Sequence, residues 1–178
     1  MTTTKWNLDP THSEIQFKVR HMMITNVSGE FKKFEANVET EGDDFSTAKI
    51  QFSADVDSID TKNEQRDGHL KSADFFDAAN HPTLSFVGTE MEKKDPENYI
   101  LHGNFTMRGN TKPIALNVEH GGTVVDAWGN TRAGFTIEGK LSRKEFGLEW
   151  SAVTETGGIV VSDEVKLHVS VQFIKQPA

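Results

Sequence analysis

The sequence predicts an all-β fold, an antiparallel meander of about eight strands with one short helical insertion near residues 62–79. Three observations carry this. Apolar and polar residues alternate with period two along most of the chain, as they do when one face of a strand is dry and the other wet. Residues that tolerate tight turns separate the alternating runs. A single stretch breaks the rhythm.

Taken in order, the first clear strand has Ile15, Phe17 and Val19 alternating with Glu14, Gln16 and Lys18. Weaker runs fall at 48–56, 84–91, 99–107 and 114–120. Then Ala133, Phe135, Ile137, Gly139 and Leu141 share one face, and Val165, Leu167, Val169, Val171 and Phe173 share another. The expected turns are Glu41-Gly42-Asp43, 94–98, Arg108-Gly109-Asn110, Gly121-Gly122, Trp128-Gly129-Asn130 and Gly157-Gly158. Eight one-sided strands either split into a sandwich or close into a barrel, and periodicity is the same in both.

The break begins at Asp60-Thr61-Lys62-Asn63-Glu64, which contains a Thr-x-x-Glu capping box over Thr61 and Glu64. The residues after it lack β periodicity, and Pro82 closes the segment. One or two short helices are expected here. Phe75 and Phe76 are adjacent and cannot share one strand face, so they are expected to pack across the sheet.

The 178 residues fit a single domain, 1–178. The net charge of −8 argues against nucleic acid and against a basic patch that docks on anionic membranes. There is no cysteine, hence no disulfide and no thiolate chemistry. No apolar run approaches membrane-spanning length, so stable membrane insertion is not expected. No leader is visible behind Met1, which makes a cytoplasmic location the expectation, or a periplasmic one if a leader was removed.

Several blocks together resemble the YceI-like polyisoprenoid-binding proteins. They are Asp9-Pro10-Thr11-His12-Ser13; Phe17-x-Val19-x-His21; Gly29-x-Phe31; Ile59-Asp60-Thr61; the run from Arg66 to Asp77 with His81-Pro82; the run from Gly103 to Pro113; and Leu141-Ser142-Arg143-Lys144-Glu145-Phe146-Gly147. They keep their order over essentially the whole chain. The resemblance implies an eight-stranded lipocalin-like antiparallel β-barrel with the helical insertion near its mouth. It also implies a lumen holding an amphiphile, either an isoprenoid quinone, a polyprenyl phosphate or a fatty-acid derivative. No cofactor beyond such a bound lipid is implied.

An eight-stranded barrel is just wide enough to be filled by side chains or to hold one small ligand. Phe17, Phe52, Phe86, Phe105, Phe135 and Phe173 are expected inward beside the small Ala54, Ala115, Ala133 and Gly139. Large and small residues either interlock or leave a tunnel, and the resemblance selects the tunnel. An apolar tail gives affinity without discrimination, so specificity falls to a few polar groups.

His21, in register with Phe17 and Val19, is a candidate head-group donor or a core histidine bonded to a carbonyl. Arg66 is a candidate clamp for a phosphate or quinone oxygen, with Asp67 holding it or serving a structural ion pair. Val19, Phe31, Phe146 and Trp150 are further candidates for the lining, and Leu70, Phe75 and Phe76 for closing the mouth. Arg143 reads as structural, and Arg108-Gly109-Asn110 as a hairpin.

Two other functions fit the same composition. One is a structural or protein-interaction barrel with a filled core. The other is an enzyme acting on a hydrophobic substrate, for which no His-x-His, His-Glu-x-x-His or Gly-x-Ser-x-Gly motif is present. The expectation is binding without catalysis. Homodimerisation through an exposed strand or loop is compatible with the sequence.

Overall fold

The computed structural model describes residues 2–22, 24–150 and 161–177. Its strands are β1 (Thr3–Leu8), β2 (Glu14–His21), β3 (Thr25–Phe31), β4 (Phe34–Glu41), β5 (Asp44–Asp55), β6 (Ile59–Asp60), β7 (Thr83–Lys93), β8 (Asn98–Met107), β9 (Asn110–Val125), β10 (Thr131–Ser142) and β11 (Val161–Lys175). One helix, α1 (Glu64–Lys71), lies between β6 and β7. The expected turn at Gly157-Gly158 lies outside the described residues.

The sheet runs β1-β4-β5-β7-β8-β9-β10-β11 and closes where β1 pairs with β11. The remaining three strands continue others. β1 and β2 run the same way along one edge of β11, Leu8 opposite Phe173 and Glu14 opposite Ser170. β3 and β4 continue each other across Lys32-Lys33, and β5 and β6 across the 3-10 turn Val56–Ser58. Counted as continuous paths, the barrel is a closed eight-stranded antiparallel meander. α1 is inserted between the third path and β7. Closure selects barrel over sandwich.

The break between β1 and β2 has a local cause. Pro10 cannot donate to a ladder, and Asp9 turns the chain by accepting from Thr11 N at 3.0 Å and Thr11 Oγ1 at 2.7 Å. Arg132 Nη1 donates to Asp9 Oδ2 at 2.7 Å, and Arg132 Nε to Asp126 Oδ2 at 2.7 Å. This bridge ties the break to the β9–β10 hairpin. At Gly29 a side chain would overlap the Phe17 ring, so the glycine lets Phe17 lie across β3.

The two ends of the barrel differ. One is plugged by aromatic rings: Phe45 packs 5.0 Å from Trp6 and 4.9 Å from Phe135, and His120 stacks on Phe135 at 4.7 Å. Trp6, 1% exposed, donates from Nε1 to Thr40 Oγ1 at 3.1 Å. The other end carries α1, the β2–β3 hairpin and the loop after β10.

Three details differ from the sequence reading. The helix cap is Asn63, whose side chain accepts from Arg66 N at 2.9 Å; Thr61 and Glu64 form no capping box. Thr61 instead donates its N–H and its hydroxyl to Asp67. Ala115 is exposed, because Leu116 and Val118 hold the inward phase of β9.

Candidate functional site

The barrel encloses a cavity of about 590 Å³ that opens at the α1 end. This lies in the roughly 300–1,000 Å³ range of small-molecule sites. A cavity of this size is the lumen that ligand binding needs. Strand periodicity builds the wall. Phe17, Val19 and Phe31 come from β2 and β3, and Phe52, Phe86 and Phe105 from β5, β7 and β8. From the far side Ile137, Val169 and Val171 complete it.

Leu70, Phe75, Phe76 and Trp150 cover the open end and also line the cavity. Phe76 meets Phe31 edge-on at 6.0 Å, which couples the insertion to the wall. Arg108 Nη1 pins the segment by donating to the carbonyls of Phe75 at 3.0 Å and Gly147 at 2.9 Å. The Arg108-Gly109-Asn110 hairpin therefore also anchors the cover.

Two expected lining residues lie elsewhere. Phe135 faces inward but belongs to the aromatic plug, in contact with Phe45, His120 and Phe173. Phe146 is buried behind the wall, edge-on to Phe105 at 5.5 Å. Alternation fixes the face of a residue but not its depth along the barrel axis.

The polar lining gathers at the mouth. Arg66 Nε donates to Thr61 Oγ1 at 2.8 Å and Arg66 Nη2 to Thr61 O at 2.6 Å. Asp67 acts on Arg66 only through Thr61: no carboxylate of the described residues lies within ion-pair distance of Arg66. His21 lines the cavity half-buried, and its ring makes no hydrogen bond among the described residues.

Arg20, His69 and Arg143 also reach the cavity. Arg20 sits in the polar phase of β2, so alternation gives no signal for it. His69 Nε2 lies 2.9 Å from Asp74 Oδ2, and its ring meets Phe75 at 5.1 Å and Trp150 at 5.0 Å. Arg143, 3% exposed, donates to the carbonyls of Leu148 (2.6 Å), Trp150 (2.7 Å), Ser162 (2.9 Å) and Val161 (3.2 Å). Burial pushes its pKa down, and Asp163 opposes the shift. Arg143 thus lends charge to the mouth while its donors bind the backbone.

No aspartate, glutamate or serine of the described residues lines the cavity, although three arginines and two histidines do. Among the described residues no three His, Asp or Glu side chains come together to hold a metal ion. No helix among them is long and apolar enough to cross a membrane.

Known proteins share this architecture. A UPF0312 protein of Staphylococcus epidermidis is 34% identical over 171 residues, covering 96% of this chain and 97% of its own. The crystal structure of a Campylobacter jejuni YCEI protein has a TM-score of 0.77 at 31% identity, covering 89% of this chain and 90% of that one. A polyisoprenoid binding domain from Saccharophagus degradans has a TM-score of 0.68 at 15% identity, covering 96% and 98%. The model of the YceI-like domain matches residues 6–173, from the plug tryptophan Trp6 to the lumen wall at Phe173, and the chain belongs to the YceI-like family.

Proposed function

We propose that the protein binds a long-chain isoprenoid lipid in the barrel lumen and sequesters or carries it without making or breaking a bond. The observation that carries this reading is the division of the cavity: an apolar barrel interior and, at one end, a mouth with three arginines and no carboxylate among the described lining residues. Such a division matches an amphiphile with an apolar tail and a head rich in acceptor oxygens. A prenyl phosphate fits the three arginines best; an isoprenoid quinone, whose carbonyls accept hydrogen bonds without charge, fits less fully. The binding domain of Saccharophagus degradans, similar in fold, supports the choice of a polyisoprenoid. Binding without chemistry is supported by the lining itself. Among the described residues no serine, aspartate or glutamate lines the cavity, and the carboxylate that His69 meets, Asp74, is not part of the lining.

Native purification, organic extraction and mass spectrometry test this, with an unrelated barrel as control. A near-stoichiometric prenyl lipid or quinone is the expected result. Clean extracts, together with failure to take up geranylgeranyl phosphate or a quinone added in solution, would overturn it.

A further inference from the structure

The hairpin joining β2 to β3 stands beside the cavity mouth and presents apolar side chains to solvent. Met22 is 44% exposed and Ile24 is 73% exposed. Ile24 N donates to His21 O at 3.2 Å to close the turn, and Met22 takes φ of +53°. Glycine or asparagine meets that demand at lower cost. Elsewhere in the left-handed region this chain uses glycine, as at Gly42 and Gly109, or the polar Lys62, Asp77 and Arg108, so that Met22 is the one apolar side chain there among the described residues. Methionine at this position is therefore strained and exposes apolar surface, which calls for a functional reason.

The charge of the hairpin is the second observation. From Ile15 to Gly29 the sequence has no carboxylate, while Lys18, Arg20 and His21 fall within it, in a chain of net charge −8. The acidity of the whole chain conceals a local cationic element. Its position is the third: Val19, Arg20 and His21 line the cavity within a few residues of the apolar tip.

We propose that this hairpin docks transiently on a lipid bilayer, Met22 and Ile24 entering the interfacial layer and the adjacent cations meeting lipid phosphates. A lipid then passes between bilayer and lumen without its tail crossing water. This rests on the carrier reading above. Apolar tip, flanking cations and mouth together match the surface of a bilayer. A second exposed apolar tip, Val124, Val125 and Trp128, belongs to the β9–β10 hairpin at the plugged end, and none of these three lines the cavity. It serves as an internal control.

The test uses the full chain and geranylgeranyl phosphate as probe, supplied either in phosphatidylcholine–phosphatidylglycerol vesicles or from ethanol. The wild type is expected to take up probe from vesicles at a rate that rises with vesicle concentration. Removing two inserted apolar side chains in Met22→Asp/Ile24→Asp is expected to slow that uptake by about tenfold or more. Uptake from ethanol stays within about twofold, because the lumen is intact. Ile24→Ser, a milder change, lowers the vesicle rate in the same direction, and Trp128→Ser leaves it unchanged. A vesicle rate independent of vesicle concentration would overturn the docking proposal. So would one unaltered in both hairpin variants, or lowered equally by Trp128→Ser. No uptake by the wild type from either source overturns the carrier reading instead, and the docking proposal with it.

Discussion

Thr61 holds Arg66 by two edges: its hydroxyl oxygen lies 2.8 Å from Nε and its carbonyl oxygen 2.6 Å from Nη2. Thr61 is itself fixed, buried and bonded to Asp67 through both its N–H and its hydroxyl. The guanidinium is thus oriented at the mouth with Nη1 unused among the described residues. A charge-assisted hydrogen bond contributes about 1.5–3 kcal/mol. Arg66→Ala should therefore weaken geranylgeranyl phosphate binding roughly 10- to 150-fold and barely change that of geranylgeraniol. Calorimetric titration of both ligands checks this, and equal losses for the two would mean that Arg66 supports the cover rather than the head group.

Thr61→Val removes the hydroxyl that links Asp67 to Arg66 while keeping the side-chain volume. Affinity for geranylgeranyl phosphate should fall by less than in Arg66→Ala, since the charge remains. The unfolding free energy should fall by about 1–3 kcal/mol, the cost of leaving a buried partner unsatisfied. Titration and urea denaturation on the same sample separate the two effects.

Val169 stands midway along the lumen wall, paired with Ile137 on one side and Ile15 on the other. Val169→Trp places bulk in the empty space. Overpacking costs about 1–3 kcal/mol where a core is already full; here the added ring has room, so the urea midpoint should move little. Affinity should drop by about tenfold or more, because the tail's path is obstructed. Unchanged affinity would locate the ligand outside the lumen.

Arg143→Met removes the donors that four backbone carbonyls share. Buried acceptors left without a donor cost about 1–3 kcal/mol each. The expected loss is therefore at least about 3 kcal/mol in urea denaturation, larger than for Arg66→Ala.

Acid should loosen the plugged end in two steps. Burial holds the His120 pKa below its ordinary 6.5, so the unfolded chain binds a proton first and stability falls as pH drops below that value. Arg132 holds Asp126 down at about 2 from 3.8, and Asp9 is lowered as well. The contribution of Asp126 is complete above 3.8 and is lost as pH falls through about 2, and that of Asp9 persists to lower pH. Urea midpoints measured from pH 7 to pH 2 should show both limbs. Arg132→Gln should flatten the lower one and His120→Phe the upper one.

Along the chain, much was decided by the sequence alone. Period-two alternation put Phe17, Val19 and His21 on one face, and a β-strand allows no other outcome. The loss of that period located the helical segment, and ordered motifs over nearly the whole chain pointed to the family. What remained depended on contacts between distant residues. Barrel and sandwich share one alternation pattern, and only the pairing of β1 with β11, from Trp6 opposite Lys175 to Leu8 opposite Phe173, closes the sheet. Phe135 and Phe105 read alike, yet one plugs the end and the other faces the cavity, because depth along a tilted strand is set by register with its neighbours. Arg20 and His69 join the mouth because strand ends and a helix converge there from separate parts of the chain, and Arg143 is buried because Leu148, Trp150, Val161 and Ser162 bring their carbonyls to it. Local periodicity records which way a side chain points; which other side chains it meets is fixed only when the barrel closes.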